Sequence, residues 1–163
     1  MTASHGIWKL IAATGLALGL VATGVAAAEP DVHQHGGDAA QLTLDNGKKW
    51  ATDEPLRKGM TSIRTQMQAA LHEIHPDTFS AAGYSDLADK VRTDVLGIVA
   101  QCKLEPKADA QLHLVIASLL GGVEIMEGKA ENVKRRTGAV KVLTALETYD
   151  KYFDQPNWQP IKE

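Results

Sequence analysis

From residue 52 onward, apolar side chains recur every three or four positions in runs separated by proline and glycine, a spacing that predicts amphipathic helices. The first opens at Thr52 or Asp53 as N-cap, with Glu54 and Pro55 in its first turn, and carries the stripe Leu56, Met60, Ile63, Met67, Ala70, Leu71 and Ile74. Pro76 stops it near His75, because the proline ring disfavours helical geometry in the residue before it. The second runs from Ser80 or Ser85 to Cys102 through Tyr84, Ala88, Val91, Val95 and Ile98. The third, from Pro106 to near Gly128, sets Leu112, Val115, Ile116, Leu119, Val123 and Met126 on one face. Leu114, Ala117, Gly121 and Ile125 make its opposite side apolar too, so this helix needs cover, and Gly121 and Gly122 permit close approach of another helix. The fourth spans Glu131 to Phe153, with Val133, Val140, Leu143, Leu146, Tyr149 and Phe153 in line. No strand alternation and no internal repeat are present.

Four helices joined by short connections predict an all-α, antiparallel up-down-up-down four-helix bundle over residues 52–163. The start of the first helix, the end of the second and the end of the fourth then share one end, gathering Trp50, Cys102 and Trp158. The segment before the bundle divides in two. Residues 1–28 read as a signal peptide: Lys9 precedes an uncharged run from Leu10 to Val25, and Ala26-Ala27-Ala28 offers a small-residue cleavage site. Residues 29–51, with Pro30, Gly36-Gly37 and Asn46-Gly47, read as a flexible leader outside the core. The expectation is export to the periplasm, with no membrane attachment after cleavage.

Composition removes several function classes. The 163 residues carry 17 Lys and Arg against 20 Asp and Glu, a formal charge of -3, which disfavours nucleic acid as a partner. The lone cysteine, Cys102, cannot close an intramolecular disulfide. A nucleophile elbow, a glycine-rich phosphate loop, an HExxH helix and the paired Glu-x-x-His of di-iron bundles are all missing, so the chain reads as non-enzymatic. Lys134-Arg135-Arg136 reads as a solvated basic face, with a docking patch as the sharper alternative.

Two constellations could carry chemistry. His72 and His75, at i and i+3, can offer imidazoles to copper or zinc, aided by His33 and His35 folding back from the leader; alternatively they are solvated residues at a helix C-terminus, which favours imidazolium. Met60 and His113 fall at one level of the bundle, about 10 Å from its end, where they could serve a noncovalent haem or, with Cys102, Cu(I). The bland reading is packing, with Met60, Met67 and Cys102 filling core.

Leu56, Gly59, Met60 and Ile63 form a Leu-x-x-Gly-Met-x-x-Ile pattern that resembles the cytochrome c-prime and four-helix cytochrome b superfamily. That resemblance implies an axial role for Met60, but the fourth helix has neither the partner His nor a Cys-x-x-Cys-His motif. Only His113 could replace it, and covalent haem is excluded. The stretches 44–50, 101–104 and 108–114 also look like a set of proteobacterial exported proteins without assigned chemistry, which implies a periplasmic four-helix bundle. The leading functional expectation is a metal-binding or metal-handling protein. The alternatives are a haem electron-transfer protein and a cofactor-free interaction or stress-response module, with a homodimer formed through Leu114, Ala117, Gly121 and Ile125.

Overall fold

The computed structural model describes residues 41–162, so the expected signal peptide over 1–28 and His33 and His35 lie outside the described residues. Four helices follow one another: α1 (Glu54–Ile74), α2 (Ala81–Gln101), α3 (Pro106–Met126) and α4 (Arg135–Tyr152). They form an all-α bundle in which each helix packs beside the next and α4 returns to α1. Hydrogen bonds at both ends establish the up-down order. At one end, the Asp53 carboxylate, N-cap of α1, accepts from the Leu56 amide at 3.0 Å and from the Lys103 amide just beyond α2 at 2.6 Å. At the other, the Arg136 guanidinium of α4 donates to the carbonyl of Ile74, where α1 ends, at 3.0 Å.

All seven stripe residues of α1 are buried, and so are all six of the α3 stripe. Helix four departs from expectation. It begins at Arg135 rather than Glu131, and Val133 and Val140 are exposed, while Gly138, Ala139, Val142, Ala145, Leu146 and Tyr149 are buried. The reason is the α3–α4 seam, the most extensive helix contact in the bundle. A Cβ at Gly122 would stand 2.7 Å from the Gly138 carbonyl oxygen, and one at Gly138 would run into the Gly122 carbonyl and come within 2.6 Å of the Met126 amide nitrogen. The backbones therefore touch where both helices carry glycine. Glycine and alanine thus face the core in the first half of α4, while Leu146, Tyr149 and Phe153 of the expected stripe are buried further along.

The first turn of α4 also corrects the reading of its basic run. Arg135 donates to the Met126 carbonyl at the end of α3, and Arg136 to the Ile74 and His75 carbonyls at the end of α1. Helix C-termini leave carbonyls without intrahelical partners and carry partial negative charge, so two guanidinium groups satisfy both needs at once. Gly128, at φ +81°, closes α3 in a Schellman arrangement, with its amide on Ile125 and that of Lys129 on Glu124, both at 3.0 Å. A side chain there would displace Arg135. Nearby, Lys129 at 2.7 Å and a bidentate Arg92 hold the Glu127 carboxyl below its usual range against the opposing effect of burial.

The stretch ahead of α1 is attached to the bundle rather than free over residues 42–51. Trp50 is buried, its indole N–H donates to the Thr43 carbonyl at 2.7 Å, and Leu42 packs on the core. Two short strands, β1 (Trp50–Ala51) and β2 (Phe153–Asp154), pair in parallel, with Trp50 opposite Phe153. Thr52 adds a hydroxyl bond to the Asp154 carbonyl at 2.7 Å. Phe153, 1% exposed, stacks on Tyr149 at 5.3 Å between ring centroids. Burying two such rings contributes about 1.5–3 kcal/mol each.

Candidate functional site: the groove between α1 and α4

Among neighbouring helices, α1 and α4 make the slightest direct contact, and the chain beyond α4 lies between them. After β2, Gln155-Pro156-Asn157-Trp158 makes a tight turn: the Trp158 amide donates to the Gln155 carbonyl at 3.2 Å, and Asn157 adopts φ +61°. Proline second and asparagine third suit a turn whose third residue needs a left-handed backbone. The Gln155 carboxamide is used at both ends, accepting from the Tyr149 hydroxyl at 2.7 Å and donating to the Thr61 hydroxyl of α1 at 2.8 Å. Burial pushes the Tyr149 phenol far above its ordinary value, so it stays a donor. The Trp158 ring packs edge-on against Tyr149 at 5.2 Å.

Further along, the Gln68 carboxamide of α1 bonds both the amide and the carbonyl of Lys162, each at 3.0 Å. Between these fixed points a cavity of about 400 Å³ remains, walled by Leu71, Leu143 and Leu146 and by Trp158, Pro160 and Ile161 of the tail. Glu147 and Asp150 complete its lining. Asp150 meets Lys49 at 3.3 Å, whereas Glu147 has no ion pair or side-chain hydrogen bond among the described residues. The arrangement suits capture of a ligand that is apolar with a positive charge.

The histidine pair is placed differently. His72 and His75 are both exposed; the His72 Nδ1 lies 2.8 Å from the Ala69 carbonyl and its Nε2 3.5 Å from Glu73. Arg136 caps the backbone at His75, setting a fixed positive charge beside the pair. Among the described residues no group of three or more His, Cys, Asp or Glu side chains is placed to hold a metal ion.

Met60 and His113 are not brought together. Met60 is fully buried, whereas the His113 side chain is 65% exposed and its Nδ1 lies 2.8 Å from the Asp109 carbonyl. Cys102 is a half-buried free thiol that packs on the core and lies against Asp53. Burial first, then the Asp53 carboxylate, push it up to about 12, away from thiolate chemistry. For Asp53, burial works to raise the value, but the Lys103 and Leu56 amides, the thiol and Arg57 outweigh it and hold the carboxyl below its usual range.

On α3, Leu114, Gly121 and Ile125 are half-buried and only Ala117 is exposed. The α4 helix supplies cover: Lys141 lies across Gly121, and Ile125 meets Gly138. This helix is long and apolar enough to cross a membrane, but its Leu112, Val115, Leu119 and Val123 lie inside the bundle. The segment from Trp158 to Ile161 lies against α1 and α4. Gln68, Gln155 and Ile161 escaped the sequence reading. The available signals were the Gln-Pro-Asn turn and the apolar pair Trp158 and Ile161 after the last helix.

No family model, curated protein or solved structure matches the chain. What it shares with the cytochrome c-prime architecture is the four-helix all-α bundle.

Proposed function

We propose that this chain is a cofactor-free interaction module, a binding protein rather than an enzyme, whose working surface is the groove between α1 and α4. With residues 1–28 acting as an export signal, it would work in the periplasm. The observation that carries this reading is the seating of residues 155–162 in the groove. A non-helical segment is held there by side chains of two helices, and a cavity is left beside it. The metal-handling reading has less support, because His72 and His75 are solvent-facing with Arg136 beside them. The haem reading has less still, with Met60 enclosed in the core and His113 in solvent.

The test is occupation of the groove from outside. The full chain carrying Trp158→Ala and Ile161→Ala should bind a fluorescent peptide of sequence 155–163, read by anisotropy, and Gln68→Leu in that background should remove the binding. A chain that keeps its helical circular dichroism yet binds no peptide would exclude the groove as an interaction surface.

A further inference from the structure

The tail occupies the groove as a bound peptide would, and its fit is incomplete. Gln68 meets both the N–H and the C=O of one residue, Lys162. In an extended chain these two groups point to the same side, so one carboxamide can satisfy both whatever the side chain is. Such main-chain pairing supplies affinity without sequence preference, while side-chain pockets supply the preference. Trp158 and Ile161 are the apolar anchors here, three positions apart. Pro160, between them, reaches the cavity of about 400 Å³ but leaves it unfilled.

Charge decides what would fill it. Glu147 and Asp150 are one helical turn apart on α4 and line the same cavity as Pro160. Asp150 already shows what these carboxylates accept, an ammonium from Lys49, in a pair whose side chains are 44% and 39% exposed. Glu147 makes no such pair among the described residues.

We infer that the groove takes a basic extended peptide in trans: an aromatic residue at the Trp158 position, an arginine or lysine at the Pro160 position facing Glu147, and an aliphatic residue at the Ile161 position. The chain's own tail is then a weak placeholder. Being tethered, it competes at an effective concentration in the millimolar range, so a partner segment must exceed it by contacts the tail lacks. A basic side chain at position 160 adds the two contacts left open, its stem against Leu143 and Leu146 and its charge against Glu147.

This inference rests on the groove reading above, and one experiment separates their failures. Three fluorescent peptides are compared on the full chain carrying Trp158→Ala and Ile161→Ala: the sequence 155–163, its Pro160→Arg form and its Pro160→Glu form. The expected order is arginine form, native, glutamate form, with about twofold to threefold between the first two, as a charge pair to the exposed Glu147 provides. Glu147→Gln in the chain, or high salt, should erase that preference, and Gln68→Leu should remove binding of all three peptides alike. Equal binding of the arginine and glutamate forms overturns the basic-peptide inference and leaves the groove reading standing. Binding of none of the three overturns both.

Discussion

Helix α4 meets its two neighbours in opposite ways. Toward α3 it presents Gly138 against Gly122, and backbone meets backbone. Toward α1 it presents Leu143, Leu146, Glu147 and Asp150, and the two helices stand far enough apart to admit the tail and a cavity. One helix thus makes a closed seam on one side and an open groove on the other, and the difference lies in residue size. Small residues let the close approach release apolar surface from water over a long contact, which fixes the frame. The larger, mixed residues on the other side cannot close against α1, and that side is left for recognition.

The largest test attacks the seam. Gly138→Leu inserts a side chain where even a Cβ has no room, and should cost about 3 kcal/mol or more by urea denaturation. A loss below about 1 kcal/mol would mean that α3 and α4 can part without penalty, and the contrast with the groove would disappear. Next comes the end of the bundle where α1 begins. Asp53→Ala removes an N-cap and the partner of the Lys103 amide, and should cost about 2 kcal/mol. Since the folded Asp53 carboxyl lies below its unfolded value, its contribution is fully present above the unfolded value and is lost as pH falls through the folded one. The Asp53→Ala chain should accordingly show a flatter acid limb in its stability profile than the wild type; parallel limbs would deny the carboxylate this role.

The groove itself should respond more gently. Trp158→Ala should cost about 1 kcal/mol, since the ring is only partly buried, and should change near-ultraviolet dichroism while the far-ultraviolet helix signal stays intact. Loss of helix would show instead that the tail is part of the frame. The smallest effect is expected for the pair His72→Ala with His75→Ala, within about 0.5 kcal/mol, because both side chains are exposed. If zinc stabilises the wild type and not this variant in a thermal scan, the metal reading regains its standing.

The same contrast explains what the sequence disclosed. Where helices face the core with large apolar residues, the stripe was legible residue by residue, as in α1 from Leu56 to Ile74, and the N-caps at Asp53 and Ser80 lie where their side chains predict. Where a helix faces its neighbour with glycine and alanine, hydrophobic periodicity is silent. Val133 and Val140 then outweigh Gly138 and Ala139, and the first half of the α4 face is misassigned, whereas Leu146, Tyr149 and Phe153 are buried as their spacing predicts. Arg135 and Arg136 looked like a solvated run for a related reason: the carbonyls they satisfy belong to helices that end 9 and 62 residues earlier in the chain. Of the groove, Leu71, Leu143 and Leu146 were visible as stripe residues, and Trp158 as a member of one end of the bundle. The Gln68 carboxamide acts on the backbone of Lys162 and that of Gln155 on the Thr61 hydroxyl, each 94 residues away, pairings that no local pattern encodes.

The two-residue pairing of Trp50 with Phe153 also bears on how the protein comes into being. It closes a loop of 153 − 50 = 103 residues, an entropic cost of about 4 kcal/mol for which a pair of strands this short returns little by itself. Such a closure forms late, after local helix pairs have already shortened the path between its ends. A chain delivered amino terminus first would therefore leave Trp50 uncovered until Phe153 had followed, and the groove beside that pairing would assemble after the helix pairs.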